Sequence, residues 1–193
     1  MRELHEGEGD ALDAAVRDDY APWLEFARLT GLRRQETLIR WSEVNWFAKQ
    51  IVTVGKGGKT VSTPITSEVR ALLEPLRGDH PEWVFTYVAK RTTTEKVRGQ
   101  RYPITYSGTK SEWHRLRERS GVQDFRFHDI RHDVATKTLR ETGNLRLVQK
   151  VLNHADMKVT ARYAHVLDEE VASALDRVAK SRKKSRSDKR DAG

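Results

Sequence analysis

The stretch QIVTVGKGGKTVSTP, residues 50–64, decides the fold class that we predict for this chain. Its two halves, Gln50–Val54 and Thr60–Pro64, are rich in β-branched residues, which favour strands. The residues between them, Gly55–Gly58, include three glycines and form a strong turn signal. Ser42–Trp46 precedes the hairpin as a third strand-like run, so we predict one small antiparallel sheet of three strands.

On both sides of this sheet, apolar residues recur at the three- and four-residue spacing of helices. Val69, Leu72 and Leu76, for example, share one face of such a helix. The predicted fold class is therefore α+β and mainly α. We predict helices over about 20–29, 33–40, 67–76, 107–119, 128–141 and 145–152, a short helix that carries Tyr163, and a final helix that begins at Asp168.

The charge of the chain is concentrated at its C-terminal end. The net charge of +8 and the pI of about 9.8 favour a polyanionic partner. Residues 180–193 hold seven basic and two acidic side chains, a net charge of +5. We interpret 181–193 as a basic, disordered tail, 20–180 as the folded domain, and the polar, acidic stretch 1–19 as a linker or the start of a helix.

The composition also excludes several classes of protein. The chain has no cysteine, which excludes disulfides and thiolate metal sites. Its first residues lack the apolar run of a signal peptide, and no window is apolar over the length that a membrane span needs. These features fit a cytoplasmic protein.

Three cationic motifs have a context that suits an anion. His128 and Arg131 lie three positions apart, so one face of a helix would present both. Arg33 follows Gly31 at a predicted helix start, where free N–H groups and the helix dipole attract anions. Lys56 lies in the glycine turn, where a flexible loop could lower it onto a bound polyanion. Together these motifs predict a phosphate site.

Each motif also has a plainer interpretation. Arg33 and Glu36 could form a surface ion pair, and a lysine in a glycine turn is usually an exposed surface residue without a specific role. His128 and His132 form an H-x-x-x-H pair that could bind a metal ion, but Arg131 beside them would repel a cation. We therefore predict no metal site.

The stretch LNHADMKVTARYAH, residues 152–165, places His154 nine positions before Tyr163. A tyrosine hydroxyl, with an ordinary pKa of about 10, is a poor nucleophile at neutral pH. It becomes useful where cations and hydrogen-bond donors stabilise the charge that its attack creates. Tyr163 is therefore either a nucleophile served by the upstream cations or a core residue that ends a helix.

Four motifs occur in order along the chain: TGLRRQE at 30–36, GKGGKTVSTPI at 55–65, HDIRHDVAT at 128–136 and LNHADMKVTARYAH at 152–165. In this order and at these spacings they resemble the catalytic domain of the tyrosine recombinase family, the phage-integrase type. The resemblance runs from about Tyr20 to His165. It implies the fold of the DNA breaking-rejoining enzymes.

The resemblance implies a role for each residue that would touch the scissile phosphate. Arg33 and Arg131 would clamp its non-bridging oxygens, and Glu36 would support Arg33. His154 would donate a further hydrogen bond to the phosphate.

In the hairpin, the resemblance implies that Lys56 is the general acid toward the leaving 5′ oxygen. Lys59 is a second, less favoured candidate for this role. Gly57 and Gly58 would let the hairpin approach DNA.

The implied nucleophile is Tyr163, which would form a 3′-phosphotyrosyl link and release a 5′ hydroxyl. His128 would position Tyr163 or assist proton transfer. Because one ester replaces another and cations stabilise the charge, neither ATP nor a metal is required, and we predict no cofactor. The implied activity is site-specific DNA recombination, for integration or excision of a mobile element in a bacterial or phage-infected cell.

The implied partners are double-stranded DNA and other protomers. Recombination needs four strand cuts, which predicts a tetramer on DNA, whereas we expect a monomer without DNA. Val171, Leu175 and Val178 form a narrow apolar stripe on the predicted final helix, which would dock on a neighbouring protomer or fold back.

Two departures from the family pattern stand out. Asn153 occupies a position where the family usually has glycine, and asparagine tolerates left-handed backbone angles. No segment before Tyr20 is long enough for the N-terminal DNA-binding domain of the family, which suggests an isolated catalytic fragment or a short member. The alternative functions are a type IB topoisomerase and a DNA-binding protein that has lost catalysis.

Overall fold

The computed structural model describes residues 2–164 together with 171, 175, 176, 178 and 179. The helices in this part of the chain are α1 (Glu8–Ala15), α2 (Ala21–Thr30), α3 (Ser67–Leu73), α4 (Tyr106–Ser120), α5 (Phe127–Thr142), α6 (Leu145–Val151) and α7 (Met157–Ala161). The strands are β1 (Val44–Asn45), β2 (Gln50–Val54), β3 (Thr60–Pro64), β4 (Thr86–Val88) and β5 (Arg101–Pro103). The mainly helical α+β class predicted from the sequence is confirmed.

The described chain divides into two compact units. The first comprises Met1–Ala135 and Val151–Asn153, and the second comprises Thr136–Lys150 and the described residues from His154 onward. Helix α5 continues across the division. No helix within the described residues is long and apolar enough to cross a membrane.

The predicted three-stranded sheet is present in the first unit, with strand order β1-β2-β3 and antiparallel pairing. Ile51 pairs with Val44 on one side and with Thr63 on the other. Side chains alternate along β2, so Ile51 is fully buried whereas Val52 and Val54 remain exposed. The sheet therefore packs one face on the core, and its glycine turn projects from the end of β2 and β3.

Helix α2 supplies the centre of the core of the first unit. Its residues Trp23 and Phe26 are almost fully buried, and each such side chain contributes about 1.5–3 kcal/mol by leaving water. The Trp23 ring stacks on Phe127, the first residue of α5, at 5.0 Å between centroids. This contact positions the start of α5, where the predicted phosphate-binding residues begin.

The helix predicted over 33–40 is wrong. Residues 34–37 make a single turn, in which the N–H of Thr37 bonds to the Arg33 carbonyl at 3.1 Å. The chain then becomes extended, and the Ile39 carbonyl accepts from the Val84 N–H at 3.2 Å. Ile39 is fully buried, so pairing with a distant segment and burial outweigh the local helical preference.

The structure also contains a second sheet that the sequence did not predict. Strands β4 and β5 pair antiparallel, with Tyr87 opposite Tyr102. Each strand has only three residues, and β5 ends in Pro103. Strands this short lack a detectable alternation, so their pairing depends on cross-strand contacts such as that between the two tyrosine rings.

The N-terminal stretch 1–19 is helical over part of its length. Helix α1 buries Leu12 to 1% exposure in the core. Leu4 also packs against this core. A linker interpretation therefore does not hold for this segment.

In the second unit, Leu147 on α6 is 39% exposed, whereas Val148 is fully buried. Helix α7 ends at Ala161, so Tyr163 follows the predicted short helix instead of lying within it. The predicted stripe residues Val171, Leu175 and Val178 are more than half exposed, and Asp168 and the basic tail lie outside the described residues.

Candidate active site

Arg33 is held by a buried carboxylate three residues further along the chain. Gly31 ends α2 in the left-handed conformation, with φ of 62°, and turns the chain toward Arg33. The backbone N–H and the Nη1 of Arg33 each donate to Glu36, at 2.9 Å to Oε2 and 2.9 Å to Oε1. Glu36 is only 1% exposed, whereas the Arg33 side chain is 35% exposed. The pair is therefore a buried carboxylate that orients an accessible guanidinium, and not a plain surface ion pair.

Gly55, the first residue of the hairpin turn, leaves the space that Glu36 occupies. A Cβ atom at this position would lie 2.8 Å from Glu36 Oε1 and 2.7 Å from Val61 Cγ2. Real Cβ atoms essentially never lie this close to other atoms, so a side chain at this position would force Glu36 or Val61 to shift. The sequence analysis did not identify this role of Gly55, because the glycine was already accounted for by the turn.

The rest of the hairpin turn is short and left-handed. Gly57 and Gly58 have φ of 76° and 75°, which favours glycine at both positions. The Gly55 N–H donates to the Lys59 carbonyl at 2.7 Å and closes the loop. The backbone of Lys56 lies in this turn, between the ends of β2 and β3.

Arg131 is anchored in a different way. Its side chain is 3% exposed, and its Nη1 donates to the Gly31 carbonyl at 2.9 Å. Its Nη2 donates to the Leu152 carbonyl. These two backbone carbonyls orient the guanidinium of Arg131 near the end of α2.

His128 lies one turn before Arg131 on α5, and its imidazole is only partly exposed to solvent. Partial burial lowers the pKa of His128 below its ordinary value of 6.5, and the charges of Arg131 and Arg33 lower it further, against an opposing effect of Asp129. The imidazole is therefore neutral at pH 7, which suits a group that accepts a proton.

Asp129, in the H-x-x-x-H stretch, caps the N-terminal end of α5. Its carboxylate accepts from the backbone N–H of Arg126 at 2.9 Å and from the Arg126 guanidinium at 3.0 and 3.1 Å. Burial alone would raise the pKa of Asp129, but the Arg126 bonds outweigh this and lower it. The carboxylate is thus committed to capping α5.

The first unit contains an open cleft of about 540 Å³. Its lining includes Arg33, Glu36, Gly55 and His128, which all lie within predicted motifs. Four further lining residues were not predicted to belong to the site, although the first two lie within the TGLRRQE motif: Arg34, Gln35, Tyr106 and Phe127. Tyr106 comes from α4, which contains no predicted motif, so no local signal could have identified it.

In the second unit, His154 is oriented by neighbours in sequence. Its Nδ1 lies 2.9 Å from the hydroxyl of Thr160, which is fully buried. Its backbone N–H donates to the Gln149 carbonyl, and the Gln149 side chain donates back to the His154 carbonyl at 3.2 Å. If the Thr160 hydroxyl donates to Nδ1, the ring carries its proton on Nε2 and can donate there.

Asn153, the residue before His154, has φ of 48°. This value lies in the left-handed region, which asparagine tolerates better than most residues. The substitution of asparagine for the usual glycine therefore keeps the turn, as the sequence predicted.

Tyr163 follows α7 and is 4% exposed. Its backbone N–H donates to the Thr160 carbonyl at 3.0 Å. Thr160 therefore contacts both predicted residues of this unit, His154 through its hydroxyl and Tyr163 through its backbone. The sequence analysis did not identify Thr160.

The sequence profile of the Phage integrase family matches residues 6–170. Tyrosine recombinase XerC of Staphylococcus aureus is 25% identical over 182 residues, which covers 87% of this chain and 58% of that protein. The chain thus spans little more than half the length of this relative.

Two solved structures share the fold at low sequence identity. The catalytic domain of bacteriophage HP1 integrase has a TM-score of 0.62 and 20% identity, over 91% of this chain and 94% of that one. A lambda integrase (75–356) dimer bound to a COC′ core site has a TM-score of 0.64 and 17% identity, over 84% of this chain and 58% of that one. At these identities the likeness shows the fold alone.

Proposed function

We propose that this chain, which belongs to the phage integrase family, is the catalytic part of a site-specific tyrosine recombinase that cleaves and rejoins DNA. The observation that carries the proposal is the cleft of the first unit, where Arg33 and neutral His128 line one wall. Such an arrangement binds an anion and accepts a proton at the same place.

In the proposed reaction, Arg33 and Arg131 bind the non-bridging oxygens of the scissile phosphate. Both are oriented before DNA arrives, Arg33 by Glu36 and Arg131 by the Gly31 carbonyl. Preorganised donors of this kind stabilise the charge of the transition state without reorganising. His154 adds one hydrogen bond from Nε2, which carries the proton when the Thr160 hydroxyl donates to Nδ1.

Tyr163 is the proposed nucleophile. Its hydroxyl oxygen forms a bond to phosphorus while the bond from phosphorus to the 5′ oxygen breaks, which leaves a 3′-phosphotyrosyl link. His128 positions the hydroxyl or accepts its proton, and Lys56 donates a proton to the leaving 5′ oxygen. Gly57 and Gly58 let the hairpin approach the backbone of DNA, and Lys59 is the second candidate for the acid. Rejoining reverses these steps with a new 5′ hydroxyl.

The proposed partners are double-stranded DNA and further protomers in a bacterial or phage-infected cell. The net charge of +8 favours DNA, and the lambda integrase neighbour is a dimer bound to a core site. We infer a tetramer during strand exchange and a monomer without DNA, in the cytoplasm. Light scattering with and without a paired-site substrate would measure both states, and a stable tetramer without DNA would contradict the second.

The deciding experiment uses a DNA duplex that carries a suspected attachment site with a nick near the cleavage position. The chain should form a covalent adduct in which phosphate is linked to Tyr163. Tyr163→Phe should bind the duplex and form no adduct. An adduct that persists in this variant would show that another residue attacks.

Two controls separate the proposal from its alternatives. Adduct formation should be unaffected by EDTA, and activity that returns only with magnesium would contradict a mechanism based on cations of the protein. Relaxation of supercoiled plasmids that lack the site would favour a type IB topoisomerase instead. DNA binding without an adduct on any substrate would favour a protein that has lost catalysis.

A further inference from the structure

Arg34 is a half-buried cation in the wall of the cleft that the proposed mechanism does not use. Among the residues that the structure describes, its guanidinium has neither an ion pair nor a side-chain hydrogen bond. Its neighbours differ, since Arg33 is bound to Glu36 and Arg126 is bound to Asp129. A partly desolvated charge without a counterion is costly unless a ligand supplies one.

The surroundings of Arg34 are aromatic and cationic. Its Cζ lies 4.5 Å from the centroid of the Phe127 ring, which holds the guanidinium against the wall. Tyr106 lines the same cleft from the first turn of α4, and the Nζ of Lys110 lies 4.8 Å from the centroid of its ring. Glu36 is the one carboxylate of the lining residues, and Arg33 already occupies it.

We propose that Arg34, together with Tyr106 of the same cleft wall, is a subsite for the DNA phosphodiester adjacent to the scissile one. The proposal rests on the proposed function, because it takes Arg33 as the residue that binds the scissile phosphate. The donors of a guanidinium lie in its plane, so a ring against its face leaves them able to bind two phosphate oxygens. Arg34 would then fix the register of the cleaved strand.

The size of the cleft supports a ligand larger than one phosphate group. A volume of about 540 Å³ falls in the range of pockets that hold drug-sized molecules. Successive phosphates of one DNA strand are separated by about 3.4 Å along the helix axis. A cleft that holds one phosphate at Arg33 therefore brings its neighbour close to the same wall, where Arg34 lies.

The test is the salt dependence of binding to a short fluorescein-labelled DNA duplex, measured by anisotropy across a KCl titration. Arg34→Met keeps a side chain that packs on Phe127 but removes the charge. It should make the negative slope of log K against log salt shallower by about 0.9, the value for one lost phosphate contact. Arg34→Lys should retain most of the slope. Arg70→Met is the matched control, because Arg70 is paired with Glu74 at 2.7 Å.

The outcomes separate a DNA contact from a packing role. If Arg34→Met leaves the slope unchanged and lowers only the melting temperature, Arg34 merely packs on Phe127 and the proposal is wrong. If Arg34→Met and Arg70→Met change the slope equally, the effect is due to the lost net charge. This outcome would also contradict the proposal. The assay measures binding and does not require cleavage. A failure of covalent cleavage would therefore contradict the proposed function, whereas the salt dependence would still test the role of Arg34.

Discussion

The two parts of the candidate site are held by contacts of very different range. In the first unit, Arg131 bonds to the Gly31 carbonyl, 100 residues away, and a side chain at Gly55 would displace Glu36. In the second unit, His154 is oriented by Thr160, six residues away. Arg33 and Arg131, which we call the cation cluster, are therefore held in place only when the first unit is folded. The geometry around His154 instead depends mainly on residues close to it in sequence. Substitutions in the cluster should affect both stability and cleavage, and substitutions near His154 mainly cleavage.

The largest expected effect is that of Arg131→Ala. Loss of one charge-stabilising donor should lower the cleavage rate about a hundred- to a thousandfold. The Gly31 and Leu152 carbonyls also lose the donor that Arg131 gives them, and each unsatisfied buried group costs about 1–3 kcal/mol. Single-turnover cleavage and thermal unfolding of the same preparations measure both effects. A variant with unchanged melting temperature would contradict the structural role of Arg131.

Gly55→Ala tests the same cluster without touching a cation. The added methyl group would have to displace Glu36 or Val61, and overpacking of this kind costs about 1–3 kcal/mol. We expect a lower free energy of unfolding and slower cleavage, because Arg33 loses its orientation. Gly9→Ala is the control, since its Cβ meets only the flexible end of Arg28. Equal effects of the two substitutions would refute the role of Gly55.

Thr160→Val sharpens the comparison from the side of the second unit. The variant keeps the shape of the side chain but loses the hydroxyl that contacts His154 Nδ1. A net hydrogen bond of about 0.5–1.5 kcal/mol corresponds to at most about a tenfold slower cleavage. Thr160→Ser should restore the rate. If serine fails to restore it while both variants fold equally well, orientation of His154 is not the reason for the loss.

The smallest effect concerns the pH dependence of stability through His128. Its pKa is lowered in the folded chain, so the unfolded chain binds the proton more readily. The free energy of unfolding should therefore fall as the pH drops below the ordinary pKa of 6.5 toward the lower pKa of the folded chain. Above pH 6.5 His128 should add little pH dependence, because its imidazole is mostly neutral in both states. His128→Gln should lose less stability over that range in urea unfolding series. The other histidines are common to both proteins, and an identical pH profile would refute the shift.

Much of the fold could be predicted because its signals are local. The hairpin from Gln50 to Pro64 combines two β-branched runs with a glycine turn, and the structure contains it with the predicted strand bounds. The end of α2 before Gly31 and the start of α6 after Asn144 also match the bounds of the predicted helices within one residue. Each depends on the backbone preference of one or two residues, which acts wherever they occur.

The errors occurred where distant residues decide the conformation. Residues 33–40 have a helical pattern, yet Ile39 pairs with Val84 and the helix is lost after one turn. Strands β4 and β5 are too short to show a periodicity in the sequence. They are stabilised by their antiparallel pairing with each other. Propensities of a few tenths of a kcal/mol per residue are easily outweighed by such pairing and burial.

The sequence alone determined the order of the four motifs and therefore the residues that we assign to the chemistry. It determined that Asn153 could replace a glycine, because left-handed angles are a property of the residue itself. The tertiary structure decided that Glu36 is buried against Gly55, that Arg131 is held by carbonyls, and that Arg34 faces the cleft. Each of these contacts joins residues that are distant in sequence. Such contacts form only when the whole first unit is folded and closely packed.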